Sequence, residues 1–246
     1  MTQQPAIDRA NRNDGDAIPA DYDTDPGRFA ANTLTTALFA KSGDVHPEVA
    51  HGLAVAGCTR VLDIGGGPGR LAELLLQRGV PTVVVDRAEH VARAPGGAVR
   101  GDATQLPFRA GTFDAAAVIW MLHHVPDPAR ALAEAHRVLR PAARLVVSAA
   151  SRRNDPELAA VLPAWGRRSS FDAEDAPALV SREFDIEHIR SWDGPFLDLP
   201  DHRAVRLFLR GRGLSEVDSD ARAREVRVPL TVTKRGSLIW ARKKPG

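Results

Sequence analysis

The chain of 246 residues has one cysteine, Cys58, so no intrachain disulfide can staple it. It has one tyrosine, Tyr22, and two methionines, and aromatic residues make up only 5% of it. A core built mainly from aliphatic side chains and alanine follows. No apolar run approaches the roughly 18 residues that a membrane-spanning helix requires. The polar N-terminus lacks the basic-then-apolar pattern of a secretory signal. Charge of one sign is also missing: 33 Lys and Arg face 31 Asp and Glu, for a net +2. The cations are almost all Arg and are scattered among acids, which is a solvated surface and not a nucleic-acid footprint. No Cys-x-x-Cys or Cys/His spacing suited to a metal occurs. A disulfide scaffold and a thiolate metal centre are excluded, and a cytoplasmic, metal-free protein is expected.

What is present centres on Val61-Leu62-Asp63-Ile64-Gly65-Gly66-Gly67-Pro68-Gly69-Arg70. A short apolar strand runs into a glycine cluster, and the amphipathic run Leu71 to Leu76 follows at once. Glycine accepts φ > 0 and lets a ligand approach bare backbone. The start of a helix adds free N–H groups and a positive dipole end. This is a cradle for a nucleotide or anion. A dinucleotide fingerprint would need glycine at 70, where Arg70 stands, and a phosphate loop would need a Lys that is absent. Asp63-x-Gly65-x-Gly67-x-Gly69 remains.

Two more acids fall at strand ends. The β-branched run 82–85 ends on Asp86, about 20 residues past the glycines, the spacing of a group that grips ribose hydroxyls. The same acid also stands where it could cap the segment beginning Arg87-Ala88-Glu89. A third strand ends at Gly101-Asp102-Ala103. Three acids at successive strand ends suit a crevice at a topological switch point.

Together these motifs resemble the class I S-adenosylmethionine-dependent methyltransferases, in the branch that acts on small molecules. The resemblance covers residues 60–149 in recognisable motifs. It implies that Asp63, Gly65, Gly66, Gly67 and Gly69 border the amino-acid part and the ribose of S-adenosylmethionine, that Asp86 grips the ribose hydroxyls, and that Arg87 also belongs to the cofactor site. Asp102 would accept from the adenine amino group, with the Ala103 N–H on a ring nitrogen. Trp120 and Met121 would lie beside the methyl group, and Tyr22 could border it from an N-terminal helix, if it does not simply pack the arm down. The Leu122-His123-His124-Val125 segment resembles one common in this branch. It makes His123 or His124 a candidate base, against a purely structural role. An Asn/Asp-Pro-Pro-aromatic segment, which marks enzymes that methylate base amines, is absent.

The expected fold is a doubly wound, Rossmann-like α/β sheet of seven strands, with helices on both faces and a C-terminal antiparallel hairpin. Residues 1–20 read as a flexible arm and 21–246 as one domain. Within it, 21–57 would form a helical cap, 58–150 the cofactor-binding core and 151–246 the substrate side. Helices are expected over 28–41, 48–56, 70–78, 128–139, 155–164 and 201–211. Strands are expected over 60–64, 82–86, 113–120, 145–149 and 184–192. A final pair, 226–233 and 237–242, would flank a turn at Lys234-Arg235-Gly236. Ala142 and Ala143 stand where the family usually has two glycines, read here as a change of turn type. The expected activity is methyl transfer to a small-molecule acceptor, giving S-adenosylhomocysteine. RNA or protein methylation, a noncatalytic cofactor-binding scaffold and, more distantly, a nicotinamide dehydrogenase are the rival readings. The oligomeric state is left open, a homodimer included.

Overall fold

The computed structural model describes residues 25–41 and 44–244. Tyr22 and the arm at 1–20 lie outside the described residues. Seven strands form one mixed sheet: β1 Val61–Ile64, β2 Thr82–Asp86, β3 Gly97–Arg100, β4 Phe113–Val118, β5 Leu139–Ala150, β6 Phe184–Leu199 and β7 Leu230–Lys243. Their order is β3-β2-β1-β4-β5-β7-β6. The first five run parallel, while β7 is antiparallel to both β5 and β6. The helices are α1 Pro26–Phe39, α2 His46–Val55, α3 Arg70–Leu76, α4 Pro128–Val138, α5 Ala176–Val180, α6 His202–Gly211 and α7 Glu216–Ala223.

The central strands are covered on both faces, which is why they read as unbroken apolar runs. In β4 the short side chains of Ala115 and Ala117 admit Leu53 of α2 and Leu71 and Leu75 of α3 on one face. Ala116 and Val118 meet Leu132 and Ala135 of α4 on the other. Alanine at the sheet centre lets both helical layers approach, which suits a chain short of aromatics. A third apolar cluster joins Phe208 and Leu209 of α6 to Leu197, Leu199 and Val232 of the antiparallel strands. α1 lies on α6, where a Cβ at Gly211 would come within 2.9 Å of the Asn32 backbone. Asp25 caps α1 by accepting from the Arg28 N–H, and its carboxylate also pairs with Arg210 of α6.

Several expected boundaries move. Strand β4 ends at Val118, so Trp120 lies beyond it. β5 begins at Leu139: residues 140–143 form a bulge between the Phe113–Leu139 and Ala115–Arg144 pairs. Ala142 keeps a left-handed φ of 59° there, so the two alanines do not bring the expected change of turn type. The expected helix at 155–164 is reduced to a 3-10 turn at Pro156–Leu158. Lys234-Arg235-Gly236 is not a turn either. It lies inside one long strand, β7, whose antiparallel partner is β6. Gly236 is needed there because a Cβ would stand 2.6 Å from the Ala149 carbonyl and from Trp192. β6 extends to Leu199, and α7 had no counterpart in the expected elements.

Candidate cofactor and acceptor site

The strand order reverses between β1 and β4, so the crevice of a doubly wound sheet opens at their carboxyl ends. The glycine loop fills that point. Gly65, Gly67 and Gly69 take φ of 70°, 55° and 88°, values side chains resist. The Gly65 N–H donates to the Val85 carbonyl at 2.7 Å, which ties the loop to β2. Gly69 caps α3 in its left-handed conformation. At Gly66 sterics decide instead: a Cβ there would lie 2.3 Å from Asp63 Oδ2.

Asp63 is the least ordinary group in the loop's reach. It sits in β1 with only 1% of its surface exposed, and its Oδ2 has no hydrogen-bond partner among the described residues. Burial raises its pKa to about 7, with Asp86 pushing the same way and His46 opposing. A buried carboxylate without a partner carries a large desolvation cost, which a cation placed against it would offset.

Asp86 at the end of β2 holds two backbone N–H groups, one in the glycine loop and one in the segment that follows it. Its Oδ2 accepts from the Gly67 N–H and its Oδ1 from the Ala88 N–H, both at 2.9 Å. Each oxygen keeps a further lone pair for a hydroxyl. Asp102 lies just past β3, exposed, with both of its hydrogen bonds on one oxygen. The Thr104 N–H and Oγ1 each donate to Oδ1 at 2.8 Å. The Thr104 backbone N–H is the main cause that holds this carboxyl below its usual range. Arg87 is exposed, and its charge lowers the Asp102 pKa further, while its own carbonyl accepts from Arg100 Nε at 2.9 Å. Ala103, next in line, packs against the core beneath.

Comparison with known proteins gives the same assignment. A family model described as a methyltransferase domain matches residues 62–147. An uncharacterized methyltransferase of Mycobacterium tuberculosis is 39% identical over 105 residues, which are 40% of this chain and 43% of that one. The demethylmenaquinone methyltransferase of Renibacterium salmoninarum is 30% identical over 172 residues, covering 64% of this chain and 67% of the relative. Among solved structures, the N-methyltransferase NodS of Bradyrhizobium japonicum, in complex with S-adenosyl-L-homocysteine, superposes with a TM-score of 0.53. It is 16% identical and covers 81% of this chain and 86% of its own. The chain spans about half the length of the mycobacterial relatives it matches. The chain belongs to the class I S-adenosylmethionine-dependent methyltransferases.

The residues fit the cofactor that gives this family its name. Asp63 Oδ2 is a buried carboxylate oxygen without a partner among the described residues, and the glycine loop bares its backbone beside it. Asp86 has lone pairs to spare at the end of β2, and Asp102 an oxygen free of the Thr104 contacts at the end of β3.

Past the end of β4 the chain lies against the glycine loop. Met121 lies over Gly65, whose Cβ would come 2.1 Å from Met121 Cγ. Trp120 has φ 56°, a left-handed conformation unusual for a bulky side chain. Its N–H donates to Ser148 Oγ at 2.8 Å, and its ring meets Trp192 edge-on at 5.7 Å. These contacts hold the strained residue in place, as strain at a working site requires. His123 and His124 follow in a 3-10 turn with ring centroids 4.0 Å apart. Ser170 Oγ fastens that turn by donating to the Leu122 and His123 carbonyls, each at 3.3 Å. Burial first, and then the charges of His124, Arg28 and Arg212, hold the His123 pKa well below 6.5. The imidazole is therefore neutral but a weak base. His136, by contrast, packs edge-on against Phe184 at 5.5 Å.

The helix expected over 28–41 forms as α1, but its contacts were not foreseen. Phe29 of α1 stacks flat on His90 at 5.0 Å, and His90 Nε2 lies 3.3 Å from where a Cβ of Gly67 would stand. One turn later, Asn32 Oδ1 accepts from Arg212 at 3.5 Å. α1 thus runs from the glycine loop to the basic residues facing His123. Nothing in its composition signals this, because only the fold brings Phe29 to His90 and Asn32 to Arg212. Among the described residues no cluster of potential metal ligands occurs, and no helix is long and apolar enough to cross a membrane.

Proposed function

We propose that the protein transfers the methyl group of S-adenosylmethionine to a small-molecule acceptor. The observation that carries this is Asp63: a buried carboxylate without a partner, pressed against a glycine loop, with Asp86 and Asp102 at the next two strand ends. Asp63 would hold the ammonium of the cofactor, Asp86 the ribose diol and Asp102 with Ala103 the adenine. The cofactor supplies a sulfonium-bound methyl carbon. The acceptor's lone pair displaces the thioether there, and the bonding pair returns to sulfur. Met121 and the strained Trp120 would border the methyl group and exclude water from it. His123 and His124 would shape the acceptor side. With its proton affinity depressed, His123 suits positioning better than proton abstraction.

The relative named for demethylmenaquinone supports a small-molecule acceptor. The scattering of the arginines among acids along the sequence supports it too. Isothermal calorimetry with S-adenosylmethionine and S-adenosylhomocysteine tests the cofactor assignment. Micromolar binding that Asp63→Ala abolishes is expected, and no binding by the intact chain overturns it. Binding without methyl transfer to any acceptor would favour the scaffold reading. Salt-dependent RNA binding would favour an RNA substrate.

A further inference from the structure

Away from the glycine loop, the described residues include a buried ionic cluster around Asp155. Asp155 Oδ1 accepts from Lys234 Nζ at 2.6 Å and its Oδ2 from Arg212 Nε at 2.9 Å. Asp155 takes a left-handed φ of 58°, and its N–H donates to the Thr233 carbonyl at 3.1 Å, so its position is built. The aromatic floor is built as well. Arg212 Cζ stands 4.5 Å and Lys234 Nζ 5.1 Å from the centre of the Phe208 ring, with Phe196 5.7 Å from Nζ. Two cations thus share one carboxylate. Glu157 lies nearby, exposed and bonded to the Thr233 N–H and Oγ1, and its charge acts on Lys234 more weakly than that of Asp155 does.

The cluster lies at the working end of the sheet. β7 pairs Gly236 with Ala150 at the carboxyl end of β5, so Lys234 projects past the edge at which β1 and β4 present their loops. Arg212 joins α1 through Asn32, and its charge reaches His123. The two cations are also the accessible members. Arg212 and Lys234 keep 27% and 14% of their side chains exposed, against 3% for Asp155 behind them.

We infer that Arg212 and Lys234 form an anion subsite on the acceptor side, so that the acceptor is an organic anion, a carboxylate or phenolate, seated near His123. This rests on the methyltransferase reading for what happens to the bound anion. The lowered Lys234 pKa, about 8, agrees: burial and then Arg212 pull it down although a carboxylate touches it. The assignment also explains His123. Methylation of an oxygen that arrives ionised releases no proton, giving an ester or ether and the neutral thioether, so no base is required. Arg212, one of the charges that with burial keeps His123 unprotonated, also favours the ionised form of such an acceptor.

Calorimetry on the full chain tests this at fixed ionic strength, with and without S-adenosylhomocysteine. The probes are benzoate and hexanoate, each against its neutral amide. The expected result is binding of the carboxylates and not of the amides. Lys234→Met should weaken carboxylate binding at least tenfold, since Asp155 is then neutralised by Arg212 alone. Asp155→Asn should strengthen it, because both cations lose their internal counter-ion; a merely structural cluster would give no such gain. If Asp155→Asn does not fold, Lys234→Met decides alone. Equal binding of acids and amides, or failure of Lys234→Met to weaken the acids, overturns the subsite. S-adenosylhomocysteine bound with carboxylates refused also overturns it and leaves the cofactor reading standing. Carboxylates bound with S-adenosylhomocysteine refused would keep the subsite and overturn the cofactor reading.

Discussion

Gly66 and Asp63 are in such close register that a methyl group on Gly66 would stand 2.3 Å from Asp63 Oδ2. The carboxylate is fully buried in β1 and cannot swing away without displacing core. Gly66→Ala should therefore cost roughly 1–3 kcal/mol in stability, the usual range for overpacking. It should also weaken cofactor binding more than tenfold, because Asp63 can only yield by leaving its place. Denaturant unfolding and calorimetry with S-adenosylhomocysteine read the two effects. Unchanged affinity would mean that the Asp63 carboxylate does not meet the ligand.

Asp63 also sets a pH dependence with a definite sign. Its folded pKa of about 7 lies above the roughly 3.9 of an unfolded Asp. Between those values the native state holds more protons than the unfolded one. This contribution is fully present below about pH 4 and is lost as pH rises through about 7. At about 1.4 kcal/mol per unit the loss is roughly 4 kcal/mol. Asp63→Asn should remove it, so the free variant should melt above the wild type at pH 8. Cofactor binding has the opposite sign, because an ammonium selects the ionised form. Wild-type affinity should rise up to tenfold per unit below pH 7 and level off above it. A flat affinity from pH 5.5 to 7.5 would contradict the assignment.

Asp86 holds the Gly67 and Ala88 N–H groups, so its loss should act twice. Asp86→Ala should weaken cofactor binding by roughly 1.5–3 kcal/mol, the scale of a lost charged acceptor. Freeing the two backbone donors should lower stability by roughly 1–3 kcal/mol as well. Thermal melts with and without S-adenosylhomocysteine separate the two. Lower stability with an unchanged ligand-induced shift would make Asp86 a loop clamp only.

The cofactor half was legible in the sequence because its parts are local. A strand, a glycine turn and an acid at each strand end are spelled out in order, and Asp63, Asp86 and Asp102 stand at or just past the ends of β1, β2 and β3. The antiparallel half was less so. Lys234-Arg235-Gly236 carries the composition of a turn, yet Gly236 serves close strand packing against Ala149 and Trp192. The acceptor side was hidden for another reason. Arg28, Asp155, Arg212 and Lys234 are remote in sequence, and each alone is an ordinary charged residue.

Ala142 gives a test of the fold that is independent of function. Its φ of 59° lies in the bulge entering β5 and carries the usual cost of a Cβ in that region. Glycine carries no such cost, although its greater freedom when unfolded returns part of the gain. Ala142→Gly should stabilise the protein by roughly 0.5–1 kcal/mol. A higher midpoint in urea with an unchanged slope would show it, and destabilisation would mean that the bulge is not left-handed there.

His123 gives a last test of the site, and its titration can be followed without the acceptor. Burial, His124, Arg28 and Arg212 all disfavour its protonation, so it should stay neutral well below pH 6.5. The His123 ring resonances, assigned by comparison with His123→Asn, should then hold constant as pH falls from 8 to 6. An inflection between pH 6 and 7 would show an imidazole able to take a proton during turnover, and a general-base role would regain its place. A flat titration leaves the methyl acceptor to arrive already deprotonated, or to lose its proton to water after transfer. In either case His123→Asn should lower kcat/KM through positioning while leaving the pH profile of kcat unmoved.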